Sequence, residues 1–229
     1  MSLDDDDQCF NWVDYPLEVE GAYGGLLENT PLICGGRKTF MIYTDECYSL
    51  NEETSKFVTR MSVNRIGGTS IVLNETILWI SGGRVYEVLN SGKRVASSEY
   101  INLSGSTPGP DLPMNLMHHA KIAINTTHSM VIGGSNSTGL ELDLTFFFDH
   151  VNQKWVDGPT LIQERSYGHA VGIVNDQVTM ANLAIVTGGV AGYGEYYIIS
   201  TEILVDSKWL PGKKMPIVPC YNKILCMLP

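Results

Sequence analysis

Four times along this chain a run of apolar residues stops on two adjacent glycines: "PLICGG" ends on Gly35 and Gly36, "ILWISGG" on Gly82 and Gly83, "SMVIGG" on Gly133 and Gly134, and "LAIVTGG" on Gly188 and Gly189. Successive doublets stand 47, 51 and 55 residues apart. A self-similar period near fifty residues constrains the fold strongly, because a unit that cannot bury its apolar face alone must stack on copies of itself. A strand with sheet on both sides and neighbours on both faces reads as a continuous apolar run rather than an alternating one. The glycine pair lets the chain leave such a crowded strand with positive φ and no Cβ. The doublets are therefore predicted to be architectural, whatever the protein binds.

The remainder of each unit repeats as well. In "FFDHVNQKW" the large residue Phe148 and the turn former Asp149 stand seven and six residues before Trp155; in "LNEETSKF" Leu50 and Asn51 stand in the same relation to Phe57. Asp149 or Asn51 starts a polar turn by hydrogen bonding to its own backbone, and the return strand presents an aromatic that packs between units. The fourth unit keeps Trp209 with a shorter turn, and the second has no tryptophan at that place. Proline-bearing exits follow ("GPDLP", "VDGPTL", "LPGKKMP"), and each is succeeded by a first strand: "RIGGTSIVL" from Arg65, "HHAKIAI" from His118, "RSYGHAVGIV" from Arg165, with "VEGAYGGLL" from Val19 filling the same slot at the start.

These features together resemble the kelch repeat: an Arg and a small residue or His leading into the first strand, a glycine doublet closing the second, an aromatic ending the third and a Trp in the fourth. The resemblance runs from about Cys9 to the end and implies an all-β, kelch-type β-propeller. Four blades fall at about 19–64, 65–116, 117–164 and 165–216, within a propeller portion at 9–229 that follows an acidic solvated tail at 1–8. No Trp-Asp dipeptide closes a unit, which disfavours a WD-type propeller. The leftover segments around Trp12 and Ile224 offer partial strands and no fifth doublet, so the four blades read as part of a larger or truncated ring. Its open strand edges would favour self-association. Circular dichroism is expected to show strand with almost no helix.

Composition narrows the partners. Fifteen Lys and Arg against 25 Asp and Glu give a formal net charge of −10. Nucleic-acid binding needs clustered cations that release counterions, so nucleic acid is not expected as a partner. No stretch approaches the roughly 18 consecutive apolar residues of a membrane span. The first residues lack a basic region followed by an apolar core, so no secretory signal is visible.

Candidate chemistry is sparse. Cys34 ends a second strand and Cys47 begins the third beside it, an arrangement that allows either a cross-strand disulfide or two half-buried thiols. Cys9, Cys220 and Cys226 sit in the terminal segments, and no CxxC suggests a metal or redox site. His118, His119 and His169 lie at blade lead-ins, where a hydrogen-bonded structural His is the simpler reading. No set of two histidines, a tyrosine and a Tyr–Cys crosslink marks a copper oxidase, and no GxSxG elbow marks a hydrolase. Neither a metal nor any other cofactor is therefore expected. Sequons at Asn74, Asn102, Asn125 and Asn136, with the possible bridge, point towards a secreted or extracellular parent, a cytoplasmic one being the alternative.

The function expected is a non-catalytic scaffold that binds other proteins through loops on a rigid ring. The resemblance places candidate contacts at the lead-ins, Arg65 and Arg165, and at the loops after the doublets, Arg37, Lys38, Arg84, Ser135 and Tyr193. The two sets are expected on opposite faces. In kelch receptors of cullin ubiquitin ligases, lead-in arginines grip acidic motifs, which makes a substrate-recognition part lacking its BTB and BACK regions the alternative. A galactose-oxidase-like enzyme is a third possibility. Trp155 and Trp209, like the doublets, are assigned structural roles.

Overall fold

The computed structural model describes residues 14–39, 42–51, 53–86, 92–173 and 183–215. The acidic tail, Cys9, Trp12, Cys220, Ile224 and Cys226 lie outside these residues. Four antiparallel sheets of four strands succeed one another, and each is a simple meander in chain order. The first blade consists of Tyr23–Leu27, Thr30–Cys34, Glu46–Leu50 and Ser55–Arg60. The second has Thr69–Leu73, Ile77–Ser81, Ser98–Asn102 and Gly105–Pro108. The third has Ala120–Ala123, His128–Ile132, Thr145–Asp149 and Lys154–Asp157, and the fourth His169–Ile173, Leu183–Thr187, Thr201–Val205 and Lys208–Pro211. The described residues contain no helix, and so none long and apolar enough to cross a membrane.

First strands of successive blades lie side by side, blade 1 on 2, 2 on 3 and 3 on 4, while among the described residues no packing of that extent links blade 4 back to blade 1. The four blades thus form an open portion of a propeller. Three apolar cores fill the three junctions. Leu27, Leu32, Leu78 and Ile101 join blades 1 and 2, Leu116, Val131 and Phe146 belong to the junction of blades 2 and 3, and Met130, Ile132, Val186 and Trp209 join blades 3 and 4.

Burial along the second strands follows from this arc. Leu78, Trp79, Ile80 and Ser81 are all buried, as are Ser129 to Ile132, because blades 2 and 3 have neighbours on both faces. In the end blades burial alternates: Leu32 and Cys34 are buried but Ile33 is not, and Ala184 and Val186 are buried but Ile185 is not. The uniform apolar runs in the sequence are therefore uniformly buried only in the middle blades. On blade 4 the outward row Val171, Ile185, Ile203 and Leu210 runs across the sheet in register, with Val171 56% exposed.

The turns behave as their residues require. Asn51 Oδ1 accepts from the Glu53 and Thr54 amides and Asp149 Oδ1 from Val151 and Asn152. In the fourth strands, Trp155 Nε1 donates to Asp111 O at 2.7 Å and Trp209 Nε1 to Pro159 O at 3.0 Å, each reaching the exit of the preceding blade. Phe57, at the matching place in blade 1, has no preceding blade among the described residues and is 47% exposed.

Cys34 and Cys47 are direct cross-strand partners and form a disulfide, with Cα atoms 4.0 Å apart. The equivalent pairs in the other blades are Ser81 and Ser98, Ile132 and Thr145, and Thr187 and Thr201, so the bridge replaces contacts or hydroxyls at one fixed point of the blade. Both cysteines are completely buried. Replacing both with serine is expected to lower stability by about 2–3 kcal/mol, since the closed loop is short. Denaturant melts of oxidised wild type and the double variant measure this, and non-reducing peptide mapping should return the linked pair. Coincident melts would deny the bridge a stabilising role.

Candidate binding face

An antiparallel meander puts the lead-in to the first strand and the loop after the second at the same end of a blade. The hydrogen bonding makes the point directly. Glu20 bridges Arg37, Ile66 pairs with Arg84, Met117 bridges Ser135 and Ser166 bridges Val190. The expectation of opposite faces for the two candidate sets is therefore corrected: lead-ins and post-doublet loops form one face, and strand 1–2 and 3–4 turns form the other.

Arg65 and Arg165 do not belong to the exposed part of that face. They are 0% and 1% exposed. Arg65 Nη1 donates to Gly82 O at 3.0 Å and Ser97 O at 2.7 Å, and Nη2 to Glu99 Oε1 at 3.0 Å. Arg165 repeats the pattern with Gly188 O, Ser200 O and Glu202 Oε1, the last at 2.5 Å. Each guanidinium ties the first doublet glycine of its blade to the third strand. The acids are held from the other side too: Ser62 N and Ser106 Oγ donate to Glu99, and Ile162 N and Gln163 N to Glu202. A fully buried arginine bound to three acceptors is not available to a partner, so both are corrected from contact residues to structural ones.

Ser135 is likewise buried, locked in backbone bonds with Met117, and is corrected in the same way. Arg37 pairs with Glu20, and Lys38 Nζ lies 3.5 Å from Glu46. Tyr193 stands 74% exposed on the hairpin of Val190–Ala191 and Tyr196–Tyr197, its amide donating to Glu141 Oε2 at 2.9 Å. Arg84 lies over the Tyr86 ring at 5.2 Å, and Tyr86 stacks on Tyr43 at 3.9 Å.

The sequence reading missed the neighbours of Arg84. The chain folds Arg84–Tyr86 against Gly92–Arg94, placing Arg84 directly opposite Arg94. These two and Lys93 line a recess of about 360 Å³ with Gly92, Asn115 and Ser137, and none of the three is paired with a carboxylate among the described residues. Like charges directly opposite on a sheet are destabilising. Lys93 and Arg94 stand ten and eleven residues after the doublet, beyond the loop positions expected to make contacts, although the Asn90-Ser91-Gly92 run before them is a turn signal in the sequence.

Nearer the axis, burial governs the histidines. His119 is 4% exposed, and burial, aided by the positive Lys121 and by His118, pushes its pKa down to about 3. His118 is pushed down to about 4 by burial and Arg94. Both are neutral in the fold near neutral pH. Unfolding restores the ordinary value of 6.5, so below it the unfolded chain binds more protons and stability falls with falling pH. The slope is about 1.4 kcal/mol per pH unit for each histidine. Carboxylates contribute in the same direction, so the difference between wild type and His119→Gln isolates the term. The variant's melting temperature should fall less steeply from pH 6.5 to 4.5, and parallel curves would refute the assignment.

No cluster of three or more His, Cys, Asp or Glu able to hold a metal occurs among the described residues. No protein-family profile matches the chain, and no curated protein does. Its fold is that of solved structures: one, described as the structure of YjhT, superposes with a TM-score of 0.73 at 14% identity, over 87% of this chain and 72% of the other. That likeness shows the fold alone.

Proposed function

We propose that this chain is part of a kelch-repeat propeller that works by binding another protein, without catalysis of its own, on the face built from lead-ins and post-doublet loops. The observation that carries this reading is the recess of Arg84, Lys93 and Arg94. An acidic protein sets two arginines opposite one another on a small sheet and leaves them without a carboxylate among the described residues. Such an arrangement costs stability unless a partner supplies negative charge. The stacked Tyr43 and Tyr86 beside it, and exposed Tyr193, Tyr196 and Tyr197 further round, add rigid aromatic area of the kind enriched at interfaces. An acidic segment of a partner protein fits this chemistry.

The test compares two faces. Arg84→Glu with Lys93→Glu alters the proposed face, while Lys56→Glu with Lys154→Glu alters the opposite one with the same charge change. Partner capture should fall at least tenfold for the first pair and stay at the wild-type level for the second. Retained capture by the first pair, with both variants melting like wild type, would overturn the reading.

A further inference from the structure

At the third lead-in position the backbone of every blade has positive φ: +66° at Gly21, +70° at Gly67, +55° at His118 and +57° at Tyr167. Blades 1 and 2 use glycine, for which this conformation is unstrained. Blades 3 and 4 instead hold large side chains there, and the two rings stack, with centroids 3.5 Å apart. The ring pair sits on a chain of inter-blade bonds, His118 N to Gly67 O and Tyr167 N to His118 O. Strain kept at two adjacent blades where glycine would serve points to a use for the side chains.

The stack walls a cavity of about 410 Å³ between the first strands of blades 2, 3 and 4, lined also by His119, Lys121 and His169, and no lining residue is a carboxylate. Lys121 is buried, its Nζ 2.7 Å from Ser81 Oγ, 3.0 Å from Trp79 O and 3.9 Å from the Trp79 ring centroid, and it has no acidic partner among the described residues. His119 Nδ1 is buried without a hydrogen-bond partner. The first strands each pair on one side only, so their second edges leave backbone amides unpaired within the sheets.

We propose that this axial cavity binds the oxyanion head, carboxylate, sulfate or phosphate, of a small organic acid, with Lys121 and His119 supplying hydrogen-bond donors and the His118–Tyr167 stack forming the wall. Burial and the nearby Arg65 push the Lys121 pKa well down; an anion in the cavity would favour its protonated form and would give the orphaned imidazole nitrogen a partner. The volume exceeds that of an inorganic anion, leaving room for a short organic body. This site is separate from the Arg84 recess and does not depend on a protein partner.

The experiment titrates the protein at pH 7 with sodium sulfate, phosphate or acetate, holding ionic strength constant with chloride, and follows ¹⁵N-histidine resonances and melting temperature. Saturable shifts of His118 and His119, absent with chloride alone, are expected for at least one oxyanion, and comparison of the three separates a carboxylate site from a phosphate or sulfate site. Lys121→Met should weaken binding at least tenfold. His118→Gly and Tyr167→Gly should melt at or above the wild-type temperature, because strain is relieved, while binding more weakly. If Lys121→Met does not fold, the two glycine variants decide. Unsaturable shifts shared with chloride, or glycine variants that bind as wild type does, would overturn the proposal.

Discussion

Replacing Arg165 with alanine is expected to lower stability by about 3–5 kcal/mol, the range for removing one partner of a buried ion pair. The loss comes less from the contact itself than from what remains. Glu202 is 2% exposed, and without the guanidinium its carboxylate keeps the Ile162 and Gln163 amides, while Gly188 O loses the Arg165 donor and Ser200 O is left with the Gly188 amide. Arg165→Glu should be worse still, since it would set two buried carboxylates together. Blade 3 suggests a rescue. At the places of Arg165 and Glu202 it carries Leu116 and Phe146, both buried in one apolar cluster. Arg165→Leu combined with Glu202→Phe should recover most of the loss, because a packed apolar pair can replace a buried ion pair at little cost. Urea denaturation of the three variants measures this. A near-wild-type midpoint for Arg165→Ala would show that the pair is not buried.

The second large effect is expected at the doublets. The φ of Gly189 is +103°, and a Cβ there would lie 2.4 Å from Ser166 O, within the backbone of its own lead-in. Gly189→Val therefore combines a forbidden conformation with a clash against main chain, and a loss of about 3–5 kcal/mol is expected, enough to remove most soluble protein. Gly194 separates the two terms. Its φ is +82°, yet nothing lies within 4 Å of an added Cβ, so Gly194→Ala should cost only about 1–2 kcal/mol. Equal costs at the two sites would mean that crowding at the doublet is irrelevant. The same crowding recurs at Gly134, whose Cβ would meet His119 Cβ at 2.7 Å, so Gly134→Val should behave as Gly189→Val does.

What the sequence determined by itself was whatever repeats locally. The doublets, the Asn51 and Asp149 turns and the positions of Trp155 and Trp209 each depend on a few consecutive residues, and a period near fifty adds them into blades. The cysteine pair was legible as two strand positions, while its oxidation to a bridge needed the register that sets Cys34 opposite Cys47. The tertiary structure alone decided which polar residues face water. Arg65 and Arg165 look like surface arginines in sequence because their acids, Glu99 and Glu202, lie more than thirty residues away. Only the sheet brings those charges together, and once paired they are buried. For the opposite reason Arg84, Lys93 and Arg94 became a recess: a hairpin returns like charges to one another where no acid among the described residues follows. The exposure of Phe57 and the incomplete burial of Ile185 were likewise beyond local sequence, because burial of a blade face is fixed by the neighbouring blade and not by the residues of the strand.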